Sequence, residues 1–208
     1  MYSSIFNKLT AVMLVCISFN LGLNAQTVIW GVGSTNGVAE AEFQNPLLTA
    51  TTATFNATSW TAQTISNDDG AGTVLTPGAA FWVRTITGVS QGGYATNMTA
   101  IASPSQANGA AIFDSDFMDN GGTAGAFGTG TAPADQVGDL VSPTIDLTGY
   151  ADSALVLGFH CKWRAFQVNN FWVSMSIDDG LTWTDVDVNT LLPSPTNTTA
   201  EGYVVAPF

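Results

Sequence analysis

From Ala154 to Arg164 the chain alternates without a break. Leu155, Leu157, Phe159, Cys161 and Trp163 take one parity; Val156, Gly158, His160, Lys162 and Arg164 take the other. Successive side chains of a strand point to opposite faces, so this segment has one apolar side along its whole length. A chain built around it must bury one face of a sheet. The next segment, Asn170 to Ile177, repeats the pattern, with Phe171, Val173, Met175 and Ile177 opposite Trp172, Ser174 and Ser176. Asp178-Asp179-Gly180 then predicts a turn into a further strand over Leu181 to Val188.

Composition agrees with sheets. Charged residues are 10% of the 208, against about 25% in an average globular protein, and 21 residues are Gly. A helical bundle needs Lys and Glu on its wet faces, whereas a β-domain surfaced with Thr, Ser and Asn does not. Further strands are expected at Thr27–Trp30, Val38–Phe43, Ala80–Ile86 and Ala110–Asp114, with Leu140–Leu147 leading into the long alternating segment. Thr49–Thr76 and Asp119–Asp135 are rich in small and polar residues and read as loops or edge strands. Many short strands separated by turn signals predict an all-β fold, a β-sandwich. No internal repeat or linker divides it.

The N-terminus reads as an export signal. Lys8 precedes an apolar run from Leu9 to Leu23, no acid occurs before Glu40, and Leu23-Asn24-Ala25-Gln26 is a small-residue cleavage pattern. The run is too short to be read as a spanning helix. Residues 1–25 are therefore expected to be a signal peptide and 26–208 a single secreted or cell-surface domain, with no membrane span in the mature chain. Cleavage removes Lys8 and leaves Arg84, Lys162 and Arg164 against 16 acids, so the net charge of −12 becomes −13. No basic patch exists to replace phosphate counterions, which excludes nucleic acid as a partner. Only Cys161 remains, so neither an internal disulfide nor a four-ligand zinc site can form.

Several segments in this order carry a family resemblance. Trp82-Val83-Arg84 is followed by Gly109-Ala-Ala-Ile-Phe-Asp-Ser-Asp116. Then come Gly138-Asp-Leu-Val-Ser-Pro-Thr-Ile-Asp-Leu147 and the strands at Leu155–Arg164 and Phe171–Ile177. Together, over residues 38 to 208, they resemble the MAM-like jelly-roll. Its bacterial versions are the choice-of-anchor J and cleaved-adhesin domains of proteins exported by type IX secretion. The resemblance implies a concanavalin-like jelly-roll β-sandwich that binds rather than catalyses. The family's closing strands are not seen after Gly202-Tyr-Val-Val-Ala-Pro-Phe208, so the sandwich is expected to be C-terminally incomplete, part of a longer secreted protein.

Catalytic constellations are scarce. Ser176-Ile-Asp-Asp-Gly-Leu-Thr-Trp183 matches the Asp-box pattern found in sialidases, but the pattern is a hairpin device and a sialidase needs an arginine cluster. A carboxylate there accepts turn amides, Gly supplies positive φ, and Trp covers the turn. His160 and Cys161, adjacent on a strand, face opposite ways and cannot form a dyad; Cys161 shares the face of Leu157 and Phe159 and reads as a core thiol. Asn56, Asn97 and Asn197 begin N-glycosylation patterns that a Thr- and Asn-rich chain produces by chance, and Asp152-Ser153-Ala154 resembles a bacterial O-glycosylation acceptor. One His and three basic groups leave hydrolytic mechanisms without their parts, and no enzymatic activity is expected of the domain.

Two sites are expected. The outer stripe His160, Lys162 and Arg164, with Trp172 of matching parity on the next strand, is a basic exception on an acidic molecule. An aromatic plane beside charged donors can hold a sugar ring or an acidic peptide. The competing reading pairs Lys162 and Arg164 with Asp185 or Asp187 and packs Trp172 under a loop. The second site is a structural Ca²⁺ position formed by Asp114 and Asp116 with Glu42 or Asp139. Asp-x-Asp at a strand end points two hard oxygen ligands the same way, and the resemblance adds that similar jelly-rolls hold cations at strand rims. The alternative is that both acids are solvated turn residues. Three readings of function stand: a secreted binding or adhesion module for an extracellular glycan or protein; an accessory domain of a secreted hydrolase; and a structural surface module without a ligand.

Overall fold

A computed structural model of the chain describes residues 27–43, 54–55, 60–67, 82–95, 98–120, 123–127, 136–150, 153–165, 170–195 and 197–208. The expected export segment, Asn56, Asn97 and Asp152 lie outside these residues. The chain divides into two units, residues 1–38 and 39–208.

In the first unit, residues 27–38 turn rather than extend, contrary to the strand expected at Thr27–Trp30. Gly31 and Gly33 take φ of 86° and 94°, and the Gly31 N–H reaches the Asn36 carbonyl at 2.8 Å. Glycine-rich spacing makes the left-handed steps available, and they end the strand before it can start.

The expected strand at Val38–Phe43 is also overturned. Val38–Ala41 forms a short helix, α1, with Glu40 in its first turn. Ala39 and Ala41 favour helix, and an acid near a helix N-terminus meets the positive end of its dipole. The Glu40 carbonyl accepts the Trp60 indole N–H at 3.0 Å, and Phe43 stacks on Trp60 with centroids 5.0 Å apart.

The second unit is otherwise built of antiparallel strands: β1 Thr54–Phe55, β2 Trp60–Asn67, β3 Val83–Thr85, β4 Ala110–Ile112, β5 Gln136–Val141, β6 Val156–Arg164, β7 Trp172–Met175, β8 Thr184–Asp187 and β9 Thr199–Pro207. Two further short helices, α2 (Ser115–Asp119) and α3 (Val188–Leu191), join them. Among the described residues the sheets are small: β1-β2-β5, β3-β4, β6-β9 and β7-β8. The fold is thus β-rich, and none of its described helices is long and apolar enough to cross a membrane.

β2 lies inside Thr49–Thr76, where low-complexity composition suggested loop or edge strand. It pairs with β5 from Thr61↔Val141 to Asn67↔Gln136, with a bulge between Thr64 and Ser66. Threonine and tryptophan suit a pleated surface even where the segment lacks an apolar face. β5 ends at Val141 rather than continuing to Leu147, because Pro143 has no N–H to offer a ladder.

β6 and β9 pair over nine residues, from Val156↔Pro207 to Arg164↔Thr199. Alternation sends Cys161 inward from β6 and Ala200, Val204 and Ala206 inward from β9. Cys161, Val204 and Val188 of α3 form the buried centre, packed by Phe159, Trp163, Phe171, Val173 and Leu192. Burying each such side chain contributes about 2 kcal/mol. Trp82 ties this centre to other sheets: its ring meets Phe113 at 5.7 Å and Phe171 at 6.5 Å, and its N–H donates to the Gly138 carbonyl at 3.0 Å.

Candidate functional site

The outer face of β6 is the first expected site, and the chain itself covers half of it. The Lys162 side chain is only 7% exposed, and its ammonium lies 3.3 Å from the carboxylate of Glu201, its Cα partner on β9. Its ammonium also donates to the Thr99 carbonyl and hydroxyl, both at 2.8 Å, and to the Ala100 carbonyl at 3.1 Å. Arg164 donates to the Tyr94 carbonyl at 2.8 Å. Both basic residues therefore hold the Tyr94 and Thr99–Ala100 backbone against β6. The carboxylate at Lys162 is Glu201, not Asp185 or Asp187.

Glu201 accepts the Ala102 amide as well, and this bond, with Lys162 behind it, holds its carboxyl below the usual 4.5. What stays open on this face is His160, edge-on to Tyr203 at 5.0 Å, and Tyr203 is 61% exposed. Gly158 makes room for that ring, since a Cβ there would lie 2.0 Å from the Tyr203 hydroxyl. Sequence parity located the stripe. Glu201 and Tyr203 were missed because strand pairing, not local pattern, sets them beside it.

The expected Ca²⁺ ligands sit in three places. Asp114 is not at a strand end but caps α2, accepting the Phe117 amide. The same buried carboxylate takes the Ser90 hydroxyl at 2.5 Å and the Gln91 amide at 2.7 Å. Asp116, in the first turn of α2, accepts the Tyr94 amide at 2.7 Å. Both carboxylates accept from the Ser90–Tyr94 segment, and they do so from the cap and first turn of a helix rather than from the strand end on which the Asp-x-Asp expectation rested. Glu42 accepts from the Asn108 side chain at 2.9 Å, and Asp139 is exposed on β5, opposite Gln63. Among the described residues no group of three or more His, Cys, Asp or Glu side chains could hold a metal ion.

Trp172 and the basic stripe of β6 belong to different hydrogen-bonded sheets. Trp172 lies on the β7-β8 sheet, 54% exposed, with Asp187 as its Cα partner. Beside it on the same face, Ser174 donates to its own cross-strand partner Asp185 at 2.6 Å. Val173, on the opposite face, packs against the core. The turn that closes this hairpin is the Asp-box, and it works as the pattern suggested. Asp178 accepts the Thr182 amide at 2.8 Å, the Thr182 hydroxyl at 2.6 Å and the Ser176 hydroxyl at 2.8 Å, and Thr182 above all lowers its pKa. Asp179 and Gly180 take φ of 56° and 84°, and the Trp183 indole N–H closes the turn on the Gly180 carbonyl at 3.1 Å.

Cys161 is 5% exposed, and burial pushes its thiol up to about 12. A thiol so poorly ionised is no nucleophile at neutral pH, and His160 is on the far side of the strand. No protein-family model matches the chain, and neither a curated protein nor a solved structure matches it.

Proposed function

We propose that this chain is a secreted or cell-surface binding module of jelly-roll type that recognises an extracellular glycan through the outer face of the β7-β8 hairpin. One observation carries the reading: Trp172 stands half out of the protein while its strand neighbours Phe171 and Val173 pack on the core. An exposed indole forgoes about 2 kcal/mol of burial that a ligand can recover. The Ser174 hydroxyl and Asp185 carboxylate lie beside it as polar groups able to meet sugar hydroxyls. A sugar ring stacks its C–H face on an aromatic plane while its hydroxyls bond outward, and this face offers both halves of that contact. The inert thiol and the scarcity of basic groups favour binding over catalysis.

The experiment is affinity electrophoresis of the full chain through gels containing different soluble polysaccharides, comparing wild type with Trp172→Ala. Retardation by at least one polysaccharide, reduced tenfold or more in the variant with unchanged circular dichroism, is the expected result. A wild-type chain that no polysaccharide retards overturns the reading.

A further inference from the structure

Resting on that reading, we infer that the glycan is free of carboxylate and sulfate groups and is an extended chain engaging Trp172 and Trp183 together. The charge argument comes from the hairpin itself. Asp178, Asp179, Asp185 and Asp187 lie between β7 and the end of β8, and no Lys, Arg or His occurs after Arg164. Register sets Asp187 opposite Trp172 and Asp185 opposite its face neighbour Ser174, so Trp172 stands among acids, while Lys162 and Arg164 of β6 spend donors on the Tyr94 and Thr99–Ala100 backbone. An anionic ligand would meet the like charge of Asp185 and Asp187 along this face. A hydroxyl-rich, uncharged chain would instead find acceptors, since Asp185 uses one oxygen on Ser174 and keeps the other.

The length argument comes from register. Trp172 is paired with Asp187 at one end of the hairpin, and Trp183 immediately precedes β8 at the turn end, where it is 52% exposed. The four residue steps from Asp187 to Trp183 span about 13 Å at ~3.3 Å per residue. That distance exceeds one sugar ring, so a monosaccharide could stack on one indole but not on both. Trp183 is held by its bond to Gly180 and needs no ordering when ligand arrives.

The test uses the intact chain. Affinity electrophoresis against neutral polysaccharides and against heparin and alginate should give retardation by a neutral one and none by the anionic ones. N-bromosuccinimide footprinting read by mass spectrometry, with saturating neutral oligosaccharide, should protect both Trp172 and Trp183 at least fivefold, and the matching monosaccharide should not. Retardation by heparin or alginate, or protection of Trp172 without Trp183, overturns this inference and leaves the glycan reading standing. Absence of retardation by every polysaccharide overturns both. Footprinting needs no substitution, so loss of the Trp183 turn cover in a variant cannot confuse the result.

Discussion

Lys162 and Glu201 face each other across the β6-β9 ladder, 3.3 Å apart, and between them hold the backbone of Thr99, Ala100 and Ala102 against the outer face of the sheet. A buried ammonium is tolerated only when its donors are met, and here one carboxylate, two carbonyls and a hydroxyl meet them. Lys162→Met keeps the apolar stem but leaves those acceptors unmet. It is expected to cost about 2–3 kcal/mol in urea unfolding. A loss below half a kcal/mol (~0.5, the scale of an exposed pair) would show that the clamp is not structural.

Acid should loosen the same clamp. Glu201 has a lowered carboxyl pKa, so its contribution is present in full above the ordinary 4.5 and disappears as pH falls through the lower folded value. Stability of the wild-type chain should therefore drop more steeply below pH 4.5 than that of Glu201→Gln. Parallel curves for the two proteins would assign the acid loss to other carboxylates.

Asp114 joins α2 to the Ser90 hydroxyl and the Gln91 amide through a buried carboxylate. Asp114→Ala is expected to destabilise by about 2–4 kcal/mol, combining a lost cap with unmet donors. Because protein groups already occupy the carboxylate, the loss should be the same with and without a calcium chelator. Chelator-sensitive melting of the wild type that Asp114→Ala abolishes would place Ca²⁺ at Asp114 and Asp116. Gly93→Ala in the same loop should be at least as harmful, since its Cβ would lie 2.3 Å from the Ala126 carbonyl oxygen.

At the Asp-box turn, space and conformation can be separated. A Cβ on Gly180 meets only the edge of Trp183, at 3.5 Å, but the residue has a φ of 84°. Gly180→Ala should thus cost about 1 kcal/mol through backbone strain alone, and Gly180→Asn, which tolerates that region better, should cost less. Equal losses would point to side-chain crowding instead. Asp178→Ala should leave the Thr182 amide open to hydrogen exchange.

Native Cys161 is expected to resist a disulfide reagent such as dithionitrobenzoate at pH 8 and to react at once in denaturant. Both its burial and a thiol pKa of about 12 work in that direction. Fast labelling of the folded chain would contradict the packing of the β6-β9 core.

Parity along one strand is a local property of the backbone, so the sequence alone determined which side chains of β6 and β7 share a face. It likewise determined that Cys161 would be inward of His160, and that Ser176–Trp183 would close a hairpin. These contacts lie within a few residues, and no distant partner is needed to set them. It could not determine which face would be wet. Lys162 and Arg164 had the right parity for an open stripe, but Lys162 reaches a segment 63 residues away that lies over it. Asp114 and Asp116 had the right spacing for shared ligation, yet the folded chain brings the donating backbone amides of Gln91 and Tyr94 to their carboxylates. Val38–Ala41 became a helix although a strand was expected over Val38–Phe43. Register between β6 and β9 put Glu201 opposite Lys162, and the separate pairing of β7 with β8 put Trp172 among acids. Only tertiary structure decides these matters, because electrostatic and burial energies depend on which distant groups the folded chain brings within a few ångströms.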